Sequence, residues 1–181
     1  MPYVAWNEFS TQSRGRWEAG SGAIFPLDSN ARRPEGWTSA DAAGLAILPG
    51  LVRYDEVYGN GPILHAFRVT VRATNAYVFP ASHIAGSNSA ALPMGARLRL
   101  KAGKDISGYA EPLQRIFQAM KTYGLIVADN GTDLYVSGTY DTRWNNDLLN
   151  PAFASLKAGD FEVVQLGWQP SSHARRRATR R

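Results

Sequence analysis

Carboxylates and aromatic rings are the groups through which this chain can do chemistry. Asp41, Asp55 and Glu56 stand within Trp37 to Val57, a compact and otherwise apolar stretch whose glycines and proline rule out one long helix or strand. Asp129 ends the apolar run Leu125-Ile-Val-Ala128, and Asp141 and Asp147 flank Arg143 and Trp144. Two carboxyls about 5 to 10 Å apart, beside rings that stack on sugars, are what glycoside hydrolysis needs. Trp37, Tyr54, Trp144 and Trp168 supply rings with apolar faces and polar edges. The expected acid/base pair is therefore Glu56 or Asp55 with Asp129 or Asp41, with His65 assisting. Trp37, Tyr54, Arg143 and Trp144 are the expected substrate contacts, joined by Asn130 and His83. Each residue also has a plain structural reading. Asp129 in Asp-Asn-Gly is a turn former, Asp41 is a charge at the start of a helical turn, and Arg143 pairs with Asp141 or Asp147.

Other chemistries find less support. His65 and His83 come from neighbouring strand-like segments, but an inward histidine is more often a hydrogen-bonded core residue than a metal ligand. The Asp141 to Asp147 spacing offers oxygen donors of the kind calcium takes, without the Asp-x-Asp-x-Asp-Gly order. No metal and no other cofactor is expected. The absence of cysteine removes thiol catalysis, disulfides and cysteine-rich zinc sites. A P-loop, a Gly-x-Gly-x-x-Gly turn, His-Glu-x-x-His and Gly-x-Ser-x-Gly are all missing, which argues against common nucleotide-dependent chemistry.

Charge points the same way once it is located. The net charge is +5, and five arginines lie in the last seven residues, which leaves 15 basic against 15 acidic side chains in the body. A nucleic-acid face on the folded part is not expected. Residues 171–181, with His173, read as a disordered basic tail, and residues 1–170 as a single β-rich domain. No window has the length of apolar sequence that a membrane span requires, and Met1-Pro-Tyr-Val shows no leader signature.

The elements that must position these groups follow from periodicity. Tyr3 to Phe9 and Trp17 to Phe25 alternate as a hairpin. Thr38 or Ser39 caps a helical turn that Gly44 ends, and Val52 to Val57 forms another. Ile63 to Arg72 is the cleanest strand, with Ile63, His65, Phe67, Val69 and Val71 inward. Tyr77 to Phe79 and Ala96 to Lys101 are further strands, the latter with Leu98 and Leu100 inward. Leu113, Ile116, Phe117 and Met120 make the apolar stripe of a helix from Pro112 to Tyr123, closed by Gly124. Leu125 to Ala128 is a buried strand, to which Leu134 to Ser137 pairs back across a turn. A short helix starts at Asn150-Pro151, and Phe161 to Leu166 is the last strand.

Several motifs resemble those of a family of uncharacterised secreted proteins of bacteria and some fungi. They are Gly36-Trp-Thr-Ser-Ala-Asp-Ala-Ala-Gly-Leu45, Leu48-Pro-Gly-Leu-Val-Arg-Tyr-Asp-Glu-Val57, His65-Ala-Phe-Arg68, Pro93 to Ala102, Tyr123 to Gly131 and Asp141-Thr-Arg-Trp144. The likeness runs over about residues 3 to 168. It implies export, and further strands upstream of Tyr3, but no activity.

The fold expected is mainly β, a β-sandwich or jelly-roll-like pair of sheets with one amphipathic helix packed on the sheet and long loops. The function expected is a carbohydrate-active enzyme, a polysaccharide hydrolase or lyase, whose partner is a polysaccharide or oligosaccharide. A glycan-binding module without catalysis and a purely structural domain are the alternatives.

Overall fold

The computed structural model describes residues 22–89 and 91–167 in full, together with the backbone of strands at 2–6, 11–13 and 16–18. The basic tail, His173 and Trp168 lie outside the described residues. In chain order the strands are β1 (Pro2–Trp6), β2 (Thr11–Ser13), β3 (Arg16–Glu18), β4 (Gly22–Pro26), β5 (Phe67–Val71), β6 (Asn75–Tyr77), β7 (Pro93–Met94), β8 (Arg97–Leu100), β9 (Leu125–Asn130), β10 (Tyr135–Val136) and β11 (Phe161–Val163). The helices are α1 (Tyr54–Val57), α2 (Glu111–Thr122) and α3 (Asn146–Ser155). The fold is sheet-rich with few helices. Five strands form a mixed sheet in the order β10-β5-β9-β8-β11, and β1–β4, β2–β3 and β6–β7 pair separately. Only β5 and β9 run parallel within the large sheet.

One face of this sheet is dry. Phe67, Val69 and Val71 on β5, Leu98 and Leu100 on β8, and Leu125 and Val127 on β9 are buried. Against them lie Leu113, Ile116, Phe117 and Met120 of α2, so the helix stripe and the strand alternation meet in one core. Phe117 is fully buried, edge-on to Tyr109 and Phe153. Gly124 closes α2 at φ +80°, and a Cβ there would lie 2.3 Å from the Leu98 carbonyl oxygen. Glycine is required at that junction for its conformation and for its size.

Several boundaries move from the sequence expectation. β5 begins at Phe67 rather than Ile63, because His65 turns aside to bond Glu56. Asn75–Tyr77 is the strand before Pro80, and the chain then turns through a bond from the Ala81 amide to the Val78 carbonyl. β10 does not pair back onto β9. It crosses to the outer edge of β5, since β9 already has β5 and β8 on its two sides. α3 starts four residues early, where Asn145 caps it by accepting from the Leu148 amide, and Pro151 lies inside the helix. Proline there forfeits one ladder bond, which a short helix tolerates at some cost.

Phe117→Ala removes the ring at the middle of the core. It is expected to lower stability by about 3 to 5 kcal/mol, read from urea unfolding; a loss below about 1 kcal/mol would contradict this packing.

Candidate acid pair on the open face of the sheet

The other face of the large sheet carries the polar chemistry, and a bulge decides what it contains. Along β5 and β9 the register runs Phe67 to Leu125, Arg68 to Ile126 and Val69 to Val127, then jumps to Thr70 opposite Asp129. Ala128 is the extra residue. Its carbonyl is drawn out of the ladder to accept from the Ala43 amide at 2.9 Å, and the Ser82 amide in turn donates to the Ala43 carbonyl. Without the bulge, strict alternation would place Asp129 beside Val71 in the apolar core. With it, Asp129 joins Arg68 on the open face, which is the re-aiming that β-bulges perform.

Arg68 is the hub of this face, with 12% of its side chain exposed. Its Nη1 donates to Ser137 Oγ at 2.9 Å, its Nη2 stands 3.7 Å from Asp129 Oδ2, and its Nε stands 3.8 Å from Asp41 Oδ2. The two carboxyls share one guanidinium and are thereby held within about 10 Å of each other, the span in which paired acids work. Gly50 permits the approach: a Cβ there would lie 3.2 Å from Arg68 Cβ and backbone nitrogen.

The two acids occupy unlike surroundings. Asp41 is 2% exposed and sits in a tight turn. Its Oδ1 accepts from the Leu45 amide at 2.9 Å, and its backbone carbonyl accepts from Thr38 Oγ1, Ser39 Oγ and the Gly44 amide. Gly44 takes φ +75°, where a Cβ would meet Ser82 Oγ at 2.2 Å. Burial pushes the Asp41 carboxyl up to about 7; the Leu45 amide and the Arg68 charge oppose this, and the Asp129 charge adds to it. Asp41 Oδ2 and Arg68 Nε are both buried without a hydrogen-bond partner, too far apart to bond each other. Asp129 has a third of its side chain exposed, and its Oδ1 accepts from the Asn130 amide. One carboxyl thus keeps its proton near neutrality while its neighbour faces solvent, the pattern by which acid and base roles are divided.

The remaining candidates fall into separate groups. Glu56 bonds Arg53 through Oε1 and His65 Nε2 through Oε2, the latter at 3.0 Å. His65 Nδ1 is 3.0 Å from the Ala66 carbonyl, so both ring nitrogens face oxygen acceptors. No hydrogen bond or ion pair among the described residues joins Glu56 or Asp55 to Asp41 or Asp129. Asp141 holds Arg143 with a two-pronged ion pair, and that pair keeps its carboxyl down at about 2. The Arg143 guanidinium lies 4.0 Å over the Tyr54 ring, whose stack on Tyr58 has a centroid separation of 4.3 Å. Trp144 stands edge-on to Tyr54 at 5.1 Å, and its indole N–H donates to the Thr139 carbonyl. Tyr54 and Trp144 are packed into this cluster, whereas Tyr58 is the exposed ring. Trp37 is exposed elsewhere, under the Arg33 guanidinium. His83 donates to the Ala42 carbonyl, and Asn130 ties Thr74 to the Ala85 carbonyl. Among the described residues no group of three or more His, Asp or Glu side chains is placed to hold a metal. An open groove of about 480 Å³ lies between residues 60–64 and α2, and none of Asp41, Arg68 and Asp129 lines it.

Arg68 and Ser137 were not among the site residues expected from the sequence. Arg68 was visible as an arginine on the outer side of the cleanest alternating strand, a position that needs acidic company if a loop covers it. Ser137 left no comparable signal. No family model matches this chain, and neither a curated protein nor a solved structure is similar to it. No helix of the described residues is long and apolar enough to cross a membrane.

The raised Asp41 carboxyl has a signed consequence for stability. The folded state binds this proton more tightly than the unfolded chain does, from the ordinary 3.8 up to about 7. Its stabilising effect is complete below the unfolded value and is lost as pH rises toward 7, by about 4 kcal/mol in all. Asp41→Asn keeps the Leu45 bond and removes the titration. The stability difference, wild type minus variant, is expected to fall between pH 4 and pH 7.5 in urea titrations; a flat difference would show that Asp41 is ionised throughout.

Proposed function

We propose that this chain is a carbohydrate-active enzyme, a polysaccharide hydrolase or lyase, that works through the Asp41–Arg68–Asp129 cluster. The observation that carries the reading is the sharing of one guanidinium by two carboxyls of opposite character. Asp129, solvent-facing beside Arg68, is the carboxylate that meets the glycan as base or nucleophile. Asp41 holds the proton that the leaving oxygen requires, which it can deliver only when the 38–45 turn parts from Oδ2, and Arg68 fixes both groups and offsets charge that develops between them. Within this proposal Glu56 and His65 brace α1 and are not the acid/base pair. Tyr58 and Arg143, exposed at the aromatic cluster, are the sugar contacts.

A second reading is favoured by the depth of Asp41. With Oδ2 buried, the cluster also suits a rigid pillar under a non-catalytic glycan-binding surface made by Asp129 and the Tyr58 ring. Export, implied by the family resemblance, belongs to either reading. So does a sandwich-like second layer, for which the β6–β7 and β1–β4 pairs, hydrogen-bonded separately from the large sheet, are the support.

The test is product release from a panel of neutral and acidic polysaccharides, followed both as new reducing ends and as unsaturated ends. Wild type is expected to cut one class, and Asp129→Asn to lower kcat/KM by about 100-fold or more. Activity is expected to decline above pH 7 as Asp41 loses its proton, and that alkaline limb to vanish in Asp41→Asn. No product from any member of the panel, with retention of the protein in glycan-containing gels, would reject catalysis in favour of binding.

A further inference from the structure

Two Asn-Gly pairs occur in the chain, Asn60–Gly61 and Asn130–Gly131, and the structure treats them in opposite ways. In such a pair the glycine nitrogen is well placed to attack the asparagine side-chain carbonyl, because no side chain on the glycine crowds the approach. A bond forms from the Gly nitrogen to Asn Cγ as the Cγ–amide bond breaks. The Gly N–H proton goes to solvent base, and ammonia leaves. Water then adds across the resulting cyclic imide and opens it at either carbonyl, giving aspartate or isoaspartate. The reaction needs a free Gly N–H and a side chain able to fold back onto it.

At Asn130 both conditions fail. Its side-chain nitrogen donates to the Ala85 carbonyl at 3.0 Å, and its oxygen accepts from Thr74 Oγ1 at 3.0 Å. The Gly131 N–H donates to the Val71 carbonyl at 2.9 Å, at the end of the β5–β9 ladder. At Asn60 both are met. Asn60 and Gly61 are exposed, a Cβ on Gly61 would touch nothing within 4 Å, and no hydrogen bond among the described residues engages the Asn60 side chain or the Gly61 N–H.

We propose that Asn60 is a site of spontaneous, water-driven deamidation in the folded protein and that Asn130 is shielded from it. The position gives the modification a local consequence. Asn60 lines the groove beside α2, and Arg115 Nη1 donates to the carbonyls on either side of it, those of Gly59 and Gly61. A carboxylate at position 60 therefore competes with Glu111, now 2.8 Å from Arg115 Nη2, for that guanidinium. The groove becomes more acidic by one charge.

The experiment is peptide mapping by mass spectrometry after incubation of the purified chain at pH 8, folded and in urea, with ion-exchange separation of the charge forms. In the folded protein Asn60 is expected to convert at least about tenfold faster than Asn130, the factor that one or two retained hydrogen bonds set. In urea the two rates are expected to converge. Asn60→Gln should remove the new acidic charge form. Equal rates at the two sites in the folded protein would overturn the proposal. So would an Asn60 that stays intact over a period in which the unfolded chain converts.

Discussion

Everything on the open side of the large sheet depends on how Arg68 is compensated. A guanidinium with an eighth of its side chain exposed is tolerable only with acceptors around it, and three separate segments supply them: the 38–45 turn, the end of β9 and the residue after β10. Those contacts tie the covering loop to the sheet. The same requirement explains the Ala128 bulge, whose carbonyl bonds the turn that holds Asp41 while its extra residue swings Asp129 over to the guanidinium. Hydrophobic packing on one face and charge compensation on the other are set by adjacent residues of β5, since successive side chains point to opposite sides.

The carboxylates divide by the quality of their partners. Glu56 and Asp141 are each held by an arginine three or two residues away in sequence, in local pairs of modest energetic worth at the surface. Asp41 is different in kind. Its guanidinium stands beyond hydrogen-bonding distance, so the charge of Arg68 offsets only part of the desolvation cost and burial pushes the carboxyl up to about 7. A cluster that leaves a buried acid partly unsatisfied is less stable than one with a closed ion pair. Such local concessions gather at working sites more often than in plain scaffolding.

The rings near Arg143 form one cluster. Tyr54 lies under Arg143 and stacks on Tyr58, and Trp144 meets Tyr54 edge to face and Tyr58 at a tilt. Tyr54 and Trp144 are partly buried by these contacts, and Tyr58, at the end of the stack, is exposed.

Much of the dry half was legible in the chain itself. The stripe Leu113, Ile116, Phe117, Met120 and the alternation of Phe67, Val69 and Val71 are local periodicities, and burial followed them because each element needs only one apolar face to be recognised. Gly44 and Gly124 were readable as left-handed closers for the same local reason. Composition likewise located the positive charge in the last residues and left the body neutral. What the sequence could not disclose was which acids meet. Glu56 and Asp129 are equivalent candidates in the sequence. Their fates were separated by their partners, Arg53 and His65 for Glu56 and Arg68 for Asp129, and by a one-residue bulge with no composition signal; β10, too, took the outer edge of β5 instead of folding back on β9. Such pairings are chosen by competition among distant segments for a few edges and one guanidinium, a contest that only the assembled fold resolves.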